Sequence, residues 1–194
     1  MELGVLLIFA VSYLVGSIPF GILFGKAINN IDPRLCGSGN IGFTNVLRVV
    51  GFLPAILTLL GDFGKGVLSA FLGRNVGGIE IGLVAGLFAI LGHCYPIFLK
   101  FRGGKAIATS FGVLMALYPF IGLLIFVLWL FIVLWLRYVS LGSLVAFTFL
   151  PLMMILFHTG TNAIMVSIGI TLLVYLRHRE NIGRLLSGTE NKAF

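Results

Sequence analysis

The chain is built from apolar runs, most of them long enough to cross a membrane, separated by short polar breaks. A spanning helix needs about 20 apolar residues to traverse a hydrocarbon core about 30 Å thick. Runs of this kind occupy residues 3–24, 50–72, 79–99, 106–118, 120–136, 139–157 and 161–176. Inside lipid each backbone polar group must be paired within the protein, so such runs fold as helices. Composition supports the reading: 59% of the 194 residues are hydrophobic and 10% are charged, where soluble domains carry about a quarter charged residues. There is too little polar surface here to face water on all sides. The expected fold is an all-α membrane protein forming one domain over residues 1–194, with no long linker, low-complexity tract or internal repeat.

The first run has only Glu2 ahead of it and continues to Phe24. It therefore reads as a first span rather than a cleavable signal. Pro119 divides 106–118 from 120–136, which leaves either one long span or two short ones. Charge decides between them. With seven spans and an outside N-terminus, every Lys and Arg except Arg74 and the intramembrane Lys65 falls on the side that holds the C-terminus. Merging the two runs would place Arg177, Arg179, Arg184 and Lys192 outside, against the positive-inside rule. About seven transmembrane helices are expected, with the N-terminus outside and the C-terminus cytoplasmic. The net charge of +7 follows largely from this bias and implies no nucleic acid. Cys36 and Cys94 lie far apart, and His93, His158 and His178 lack metal-ligand spacing, so neither a metal nor a cofactor is implied. The 26 glycines suit close packing of membrane helices. Pro19 and Pro151, each inside an apolar run, are expected to kink their helices.

Three polar segments on the basic side are richer than connectors need to be. Residues 34–48 combine glycines, asparagines and hydroxyls between Arg34 and Arg48. Glycine lets backbone approach a ligand closely, and successive N–H groups can form an anion-binding nest; the same composition also makes ordinary turns. Residues 100–106 place Gly103-Gly104-Lys105 directly ahead of an apolar helix, where free N–H groups, the helix dipole and an ammonium would converge on phosphate. It is not a Walker loop, since that spacing is absent, and positive-inside charges on a tight turn are the alternative. Residues 177–185 follow the last span. A continuing helix would put His178 and Asn181 on one face, with Arg177 and Arg184 nearby, although a juxtamembrane basic segment against anionic lipid has the same composition.

Asp62 and Lys65 stand in the middle of an apolar run, where ionisable groups are costly. At i, i+3 they can pair, with Asp62 fixing helix packing and Lys65 also lending charge to a ligand. Together the segments point to a phosphorylated substrate at the cytoplasmic membrane boundary. They supply almost no carboxylate to act as general base, apart from Asp32 and Glu180, which favours chemistry in which the substrate carries its own activated group.

These motifs recur in a known order: Gly-Ser-Ile-Pro at Gly16–Pro19, Gly-Ser-Gly-Asn-x-Gly-x-Thr-Asn-x-x-Arg at Gly37–Arg48, Asp-x-x-Lys-Gly at Asp62–Gly66, Gly-Gly-Lys-Ala at Gly103–Ala106 and Arg-His-x-x-Asn-Ile-x-Arg-Leu at Arg177–Leu185. Over nearly its whole length the chain resembles the bacterial acyl-phosphate:glycerol-3-phosphate acyltransferases. The resemblance implies transfer of a fatty acyl group from acyl phosphate to the 1-hydroxyl of glycerol 3-phosphate, giving lysophosphatidic acid and phosphate. It implies catalytic roles for Ser38, Arg48, Lys105, His178 and Asn181, and glycerol 3-phosphate binding by Gly103, Gly104 and Lys105. Within the long motif Gly37, Gly39, Asn40, Thr44 and Asn45 are also expected to bind substrate, as is Lys65. The membrane would be the bacterial inner membrane, with the site on its cytoplasmic side. Oligomeric state stays open. One departure is Ala106 where many members have Gly, and alanine still permits a helix to start there.

Two other classes share some of these features. Acyltransferases that use thioester donors resemble one another through His-x-x-x-x-Asp, but the fifth residues after His93, His158 and His178 are Phe98, Ala163 and Gly183. A small transporter of a phosphorylated solute would suit intramembrane charges, yet the basic motifs cluster on one side and no pair of repeats is present.

Overall fold

The computed structural model describes residues 2–193, which form helices, 3₁₀ turns and loops. Nine α-helices follow one another among them: α1 (Glu2–Gly16), α2 (Phe20–Asn29), α3 (Phe43–Val49), α4 (Phe52–Cys94), α5 (Ile107–Leu117), α6 (Pro119–Leu136), α7 (Val139–Leu156), α8 (Thr161–Arg177) and α9 (Arg179–Leu186). Four stretches are long and apolar enough to cross a membrane: Glu2–Asn29, Phe52–Leu99, Pro119–Leu136 and Val139–Leu156. Thr161–Arg177 qualifies when counted with α9. Large apolar side chains stand on the outside, and only 22% of α6 is buried within the protein, as lipid-facing helices require.

The chain divides into two compact units between Val113 and Leu114. In the first, α4 is not one rod. Gly77 and Gly78 leave helical geometry, and Gly78 takes φ 79°, ψ −171°, a combination essentially closed to residues with a Cβ. A Cβ built on Gly73 would come within 2.6 Å of the Ala85 Cβ. Twelve residues along one helix are about 18 Å apart, so the chain doubles back at this glycine pair. The expected runs 50–72 and 79–99 are therefore two arms, 52–76 and 79–94. Small residues bring the helices of this unit together: Gly16 lies on the Ala89 backbone, Gly92 on the Tyr13 carbonyl and Gly66 on the Thr109 carbonyl, the packing mode that serves where no hydrophobic force acts between helices. The first apolar run breaks at Ser17–Pro19, where Ile22 N–H bonds to Pro19 O. The Ile18 carbonyl leaves the helical ladder there and becomes an acceptor for a side chain.

In the second unit α6, α7 and α8 pack in sequence. Trp129 donates to Ser143 at 3.2 Å, and Thr171 to the Phe147 carbonyl at 2.7 Å. Pro119 opens α6 at its first position, where its missing N–H costs nothing, so runs 106–118 and 120–136 are separate helices. Helix α5 has 11 residues, about 16 Å of rise, which is short of a full crossing. Helix α7 continues through Pro151 without a break.

Candidate active site

The long glycine-asparagine motif folds around one side chain. Asn45 is 2% exposed. Its Nδ2 donates to the carbonyls of Pro33 (2.9 Å), Cys36 (3.2 Å) and Asn40 (2.8 Å), while its Oδ1 accepts from Ser38 N–H at 2.9 Å. Asn40 Oδ1 in turn accepts from Gly42 N–H at 2.8 Å just ahead of α3. Gly37 makes the wrap possible: its φ is +61°, and a Cβ there would strike Asn45 Oδ1. Helix α3 is seated by Val46 and Val50 packed with Ala55. That inward face leaves Thr44 and Arg48, at i and i+4, on the outer one. Ser38 and Arg48 are exposed, and among the described residues nothing pairs with the Arg48 guanidinium. Behind the loop, Asp32 accepts from Arg34 Nε (3.0 Å) and its terminal nitrogen (2.6 Å). Hydrogen bonding from the Arg34 side chain holds the Asp32 carboxyl well below the usual carboxylate range, against the opposing effect of burial.

The second motif sits on a buried charge cluster. Asp62, Lys65 and His93 are 3%, 3% and 4% exposed. Lys65 Nζ lies 2.7 Å from Asp62 Oδ1 and donates to the Ile18 carbonyl at 3.1 Å. His93 Nδ1 stands 3.4 Å from the same Asp62 oxygen. The other side of that imidazole meets the motif, since a Cβ on Gly104 would collide with His93 Nε2. Gly104 N–H donates to His93 O at 3.0 Å and Gly103 N–H to Cys94 O at 3.1 Å. The chain thus makes a tip over residues 95–102, returns to the level of His93, and only then starts α5, which explains why that helix is short. Lys105 is half-buried in this return. Ala106 is fully buried with φ +74°, and Ser110 N–H bonds to its carbonyl at 2.8 Å.

The third motif lies in the second unit. A bend of 60° separates α8 from α9, with His178 at the corner, so the expected continuous helix is replaced by a turn. His178 is 3% exposed, and its Nδ1 is 2.8 Å from the Val174 carbonyl. A carbonyl only accepts, so Nδ1 carries hydrogen and Nε2 is the acceptor of the neutral ring. Asn181 Nδ2 donates to Glu190 Oε1 at 2.6 Å.

Known proteins with this sequence pattern and fold have a stated activity. A family model for glycerol-3-phosphate acyltransferase matches residues 6–188. A glycerol-3-phosphate acyltransferase of Carboxydothermus hydrogenoformans is 46% identical over 181 residues, covering 93% of this chain and 92% of the relative. This chain belongs to the glycerol-3-phosphate acyltransferase family. The fold is that of the crystal structure of PlsY (YgiH), an integral membrane glycerol 3-phosphate acyltransferase, in its glycerol 3-phosphate form. The TM-score is 0.93 at 40% identity, over 97% of this chain and 94% of that one. The lysophosphatidic acid form of PlsY gives 0.90 at 39%. The chain is thus an enzyme of phospholipid biosynthesis and an integral membrane protein.

The structure gives several of the expected residues partners within the protein. The motif points Asn45 at substrate, but its amide is occupied by the loop it organises. Lys65 is expected to lend charge to a ligand, but its ammonium is held between Asp62 and Ile18. The Gly103 and Gly104 amides donate to the Cys94 and His93 carbonyls respectively, and their lack of side chains serves approach to the α4 arm. Two further residues join the motifs without belonging to them. His93 carries the signal that flags Asp62, a polar group inside an apolar run. Glu190 carries no local signal, because its partners Ser140 and Asn181 are 50 and 9 residues away.

Proposed function

We propose that this acyltransferase moves a fatty acyl group from acyl phosphate to the 1-hydroxyl of glycerol 3-phosphate, as a single catalytic domain with an outside N-terminus and seven spans, the fourth of them made by α5 together with the return at 103–106 that precedes it. The family match runs continuously through both compact units, which favours one domain. The reaction belongs on the cytoplasmic side of the bacterial inner membrane, where soluble glycerol 3-phosphate meets a lipid-borne donor. The 1-oxygen attacks the acyl carbonyl carbon, the bond from that carbon to the phosphate oxygen breaks, and the hydroxyl proton passes to a phosphate oxygen. The products are 1-acyl-glycerol 3-phosphate and inorganic phosphate.

The observation that carries this reading is the state of the acids near the motifs. Asp32 is held by Arg34, Asp62 by Lys65, and Glu190 by three donors, while Glu180 lies exposed on α9. Three of the four are engaged by cations or other donors, so a substrate that brings a good leaving group and its own basic oxygens suits this protein. Catalysis then consists of orientation and charge neutralisation. In this reading Lys105 and Arg48 with Ser38 neutralise the two phosphates and the developing oxyanion, and His178 and Asn181 orient the acceptor. The solved relatives in glycerol 3-phosphate and lysophosphatidic acid forms are consistent with acceptor and product. Incubation of the purified protein with palmitoyl phosphate and radiolabelled glycerol 3-phosphate is expected to yield labelled lysophosphatidic acid, and palmitoyl-CoA in its place none. Labelling with the thioester alone would overturn the donor.

A further inference from the structure

The tip over residues 95–102 carries side chains that the motif beside it does not need. Ile97, Phe98, Lys100, Phe101 and Arg102 are all exposed, Phe98 to 60% and Phe101 to 58%. Among the described residues neither phenyl ring has a ring contact, and neither the Lys100 ammonium nor the Arg102 guanidinium has an ion pair or hydrogen bond. Positive-inside bias accounts for the two cations but not for three large apolar side chains among them. The tip is also firmly built. Leu99 N–H and Phe101 N–H both donate to the Pro96 carbonyl, at 3.1 and 3.0 Å, and Arg102 N–H donates to Leu99 O at 3.1 Å. At its base the Tyr13 hydroxyl of α1 donates to the Tyr95 carbonyl at 2.7 Å. Lys100 and Phe101 are held at φ +51° and +62°, a region in which residues with a Cβ are strained.

Helix length places this tip in the membrane surface rather than in open water. The α4 arm over 79–94 rises about 24 Å, short of a hydrocarbon core about 30 Å thick. With the Gly77–Gly78 turn at one boundary, Cys94 stops about 6 Å inside the other. Four residues out and four back reach at most about 14 Å beyond Cys94, and the 3₁₀ turn at Ile97–Leu99 shortens that reach. The headgroup layer is about 5–7 Å deep on each side, so the tip ends within it. Apolar side chains interleaved with cations suit that layer, the first entering the acyl margin and the second meeting anionic headgroups. We propose that residues 97–102 are an interfacial anchor for anionic phospholipid: Ile97, Phe98 and Phe101 enter the margin of the acyl chains, and Lys100 and Arg102 hold headgroup phosphates. The anchor ties the return that carries Lys105 to the membrane surface, so catalytic efficiency follows the anionic lipid content. The choice of the cytoplasmic leaflet rests on the proposed placement of the site; the lipid contact does not.

The test uses the full chain in lipid nanodiscs, which leave both membrane faces open. Phe98→Trp adds an indole to the native Trp129 and Trp135, and the added emission is the difference from wild type. Phosphatidylcholine brominated near the carbonyl end of its chains is expected to quench that added emission to less than about half. Added emission that brominated lipid leaves unchanged would put the tip in water or on a protein partner and overturn the proposal; Phe101→Trp gives the same reading should Phe98→Trp not fold. The second measurement is kcat/KM for glycerol 3-phosphate in phosphatidylcholine discs with and without phosphatidylglycerol, for wild type and Lys100→Gln/Arg102→Gln. An anionic surface repels the anionic substrate equally from both enzymes, so the difference in their responses isolates the tip. A cation near such a surface strengthens attachment about fivefold, and the wild-type response to phosphatidylglycerol is expected to exceed that of the double variant by at least that factor. Equal responses would also overturn the proposal, since the tip would then touch lipid without reading its charge. If palmitoyl phosphate gives no product in any disc, the acyl-phosphate reading fails, and the quenching still decides the anchor.

Discussion

Asn45 in the first unit and Glu190 in the second each gather several polar partners onto one buried side chain, but the partners differ in kind. Those of Asn45 are backbone groups of Pro33, Cys36, Ser38 and Asn40, all within twelve residues. Those of Glu190 are side chains, one of them on α7, fifty residues away. A hub tied to backbone sets the path of the chain. A hub tied to side chains sets the aim of groups on a path that other forces have already fixed. Loss of the first should unmake a loop, and loss of the second should misdirect one. The anionic hub also brings a carboxylate into a basic motif, which is tolerable only because each of its lone pairs in that direction meets a donor.

The largest effect is expected from a third hub, the buried cluster of the first unit, where path and aim depend on charge. Lys65→Ala would leave Asp62 buried and opposed only by His93. Removing one partner of a buried pair costs about 3–5 kcal/mol, visible as a lowered unfolding midpoint in detergent. Replacing both charges, Lys65→Met with Asp62→Leu, is expected to recover most of that stability, because no charge is then desolvated. Activity should stay low in the double variant, since the His93 ring under Gly104 has lost its carboxylate. A double variant as unstable as the single one would show that the pair is not the reason for the cost.

Next in size is the Asn45 hub. Asn45→Ala takes a partner from the Ser38 amide and three carbonyls; water can replace it at the half-buried groups, so the loss is set mainly by the buried Pro33 carbonyl, about 1–3 kcal/mol. Asn45→Asp keeps an acceptor for Ser38 N–H but turns an acceptor toward three carbonyls, so it should be the worse of the two. Faster amide exchange at Ser38 in both variants, but not in Glu190→Gln, would sharpen the distinction between path and aim. Equal exchange in all of them would break it.

His178 belongs on the side of aim. With Nδ1 committed to the Val174 carbonyl, the orientation of its ring is fixed. His178→Ala is expected to slow turnover about 10–100-fold, or about 1.4–2.7 kcal/mol, with the shape of the pH–rate profile retained. Abolished turnover at saturating substrate, together with loss of a limb near pH 6–7 where histidine titrates, would instead make His178 the base and end the substrate-assisted scheme.

What can be read from the sequence follows the same division. The helices are legible because lipid enforces a local rule, and the doubling back at Gly77–Gly78 shows as the gap between two apolar runs. The motifs are legible as composition. Composition cannot say that Asn45 faces inward while Thr44 beside it does not, because that depends on Val46 and Val50 seating α3. Nor can it say that the 103–104 amides bond to α4 or that α9 turns at His178. Glu190 is least legible of all, since its position is set by a tail that folds over the start of α7.

The smallest predicted effect tests path alone. Ala106 holds φ +74° in the return that delivers Lys105 to α5, so the expectation that alanine merely permits a helix start is incomplete. A left-handed conformation costs a residue with a Cβ about 1–2 kcal/mol. Glycine would remove that strain but would lose about 0.4–1 kcal/mol through the greater freedom of the unfolded chain. Ala106→Gly is thus expected to stabilise the fold by about 0.5–1 kcal/mol, raising the unfolding midpoint by a few degrees. The Cβ of Ala106 is fully buried, so its loss also removes some packing, which sets the upper end of that range. If the return only routes the chain, kcat/KM should hold within about twofold. A stabilised variant with a several-fold higher KM for one phosphate substrate would mean that the strained residue also aims Lys105, and would move this loop from the class of Asn45 to that of Glu190.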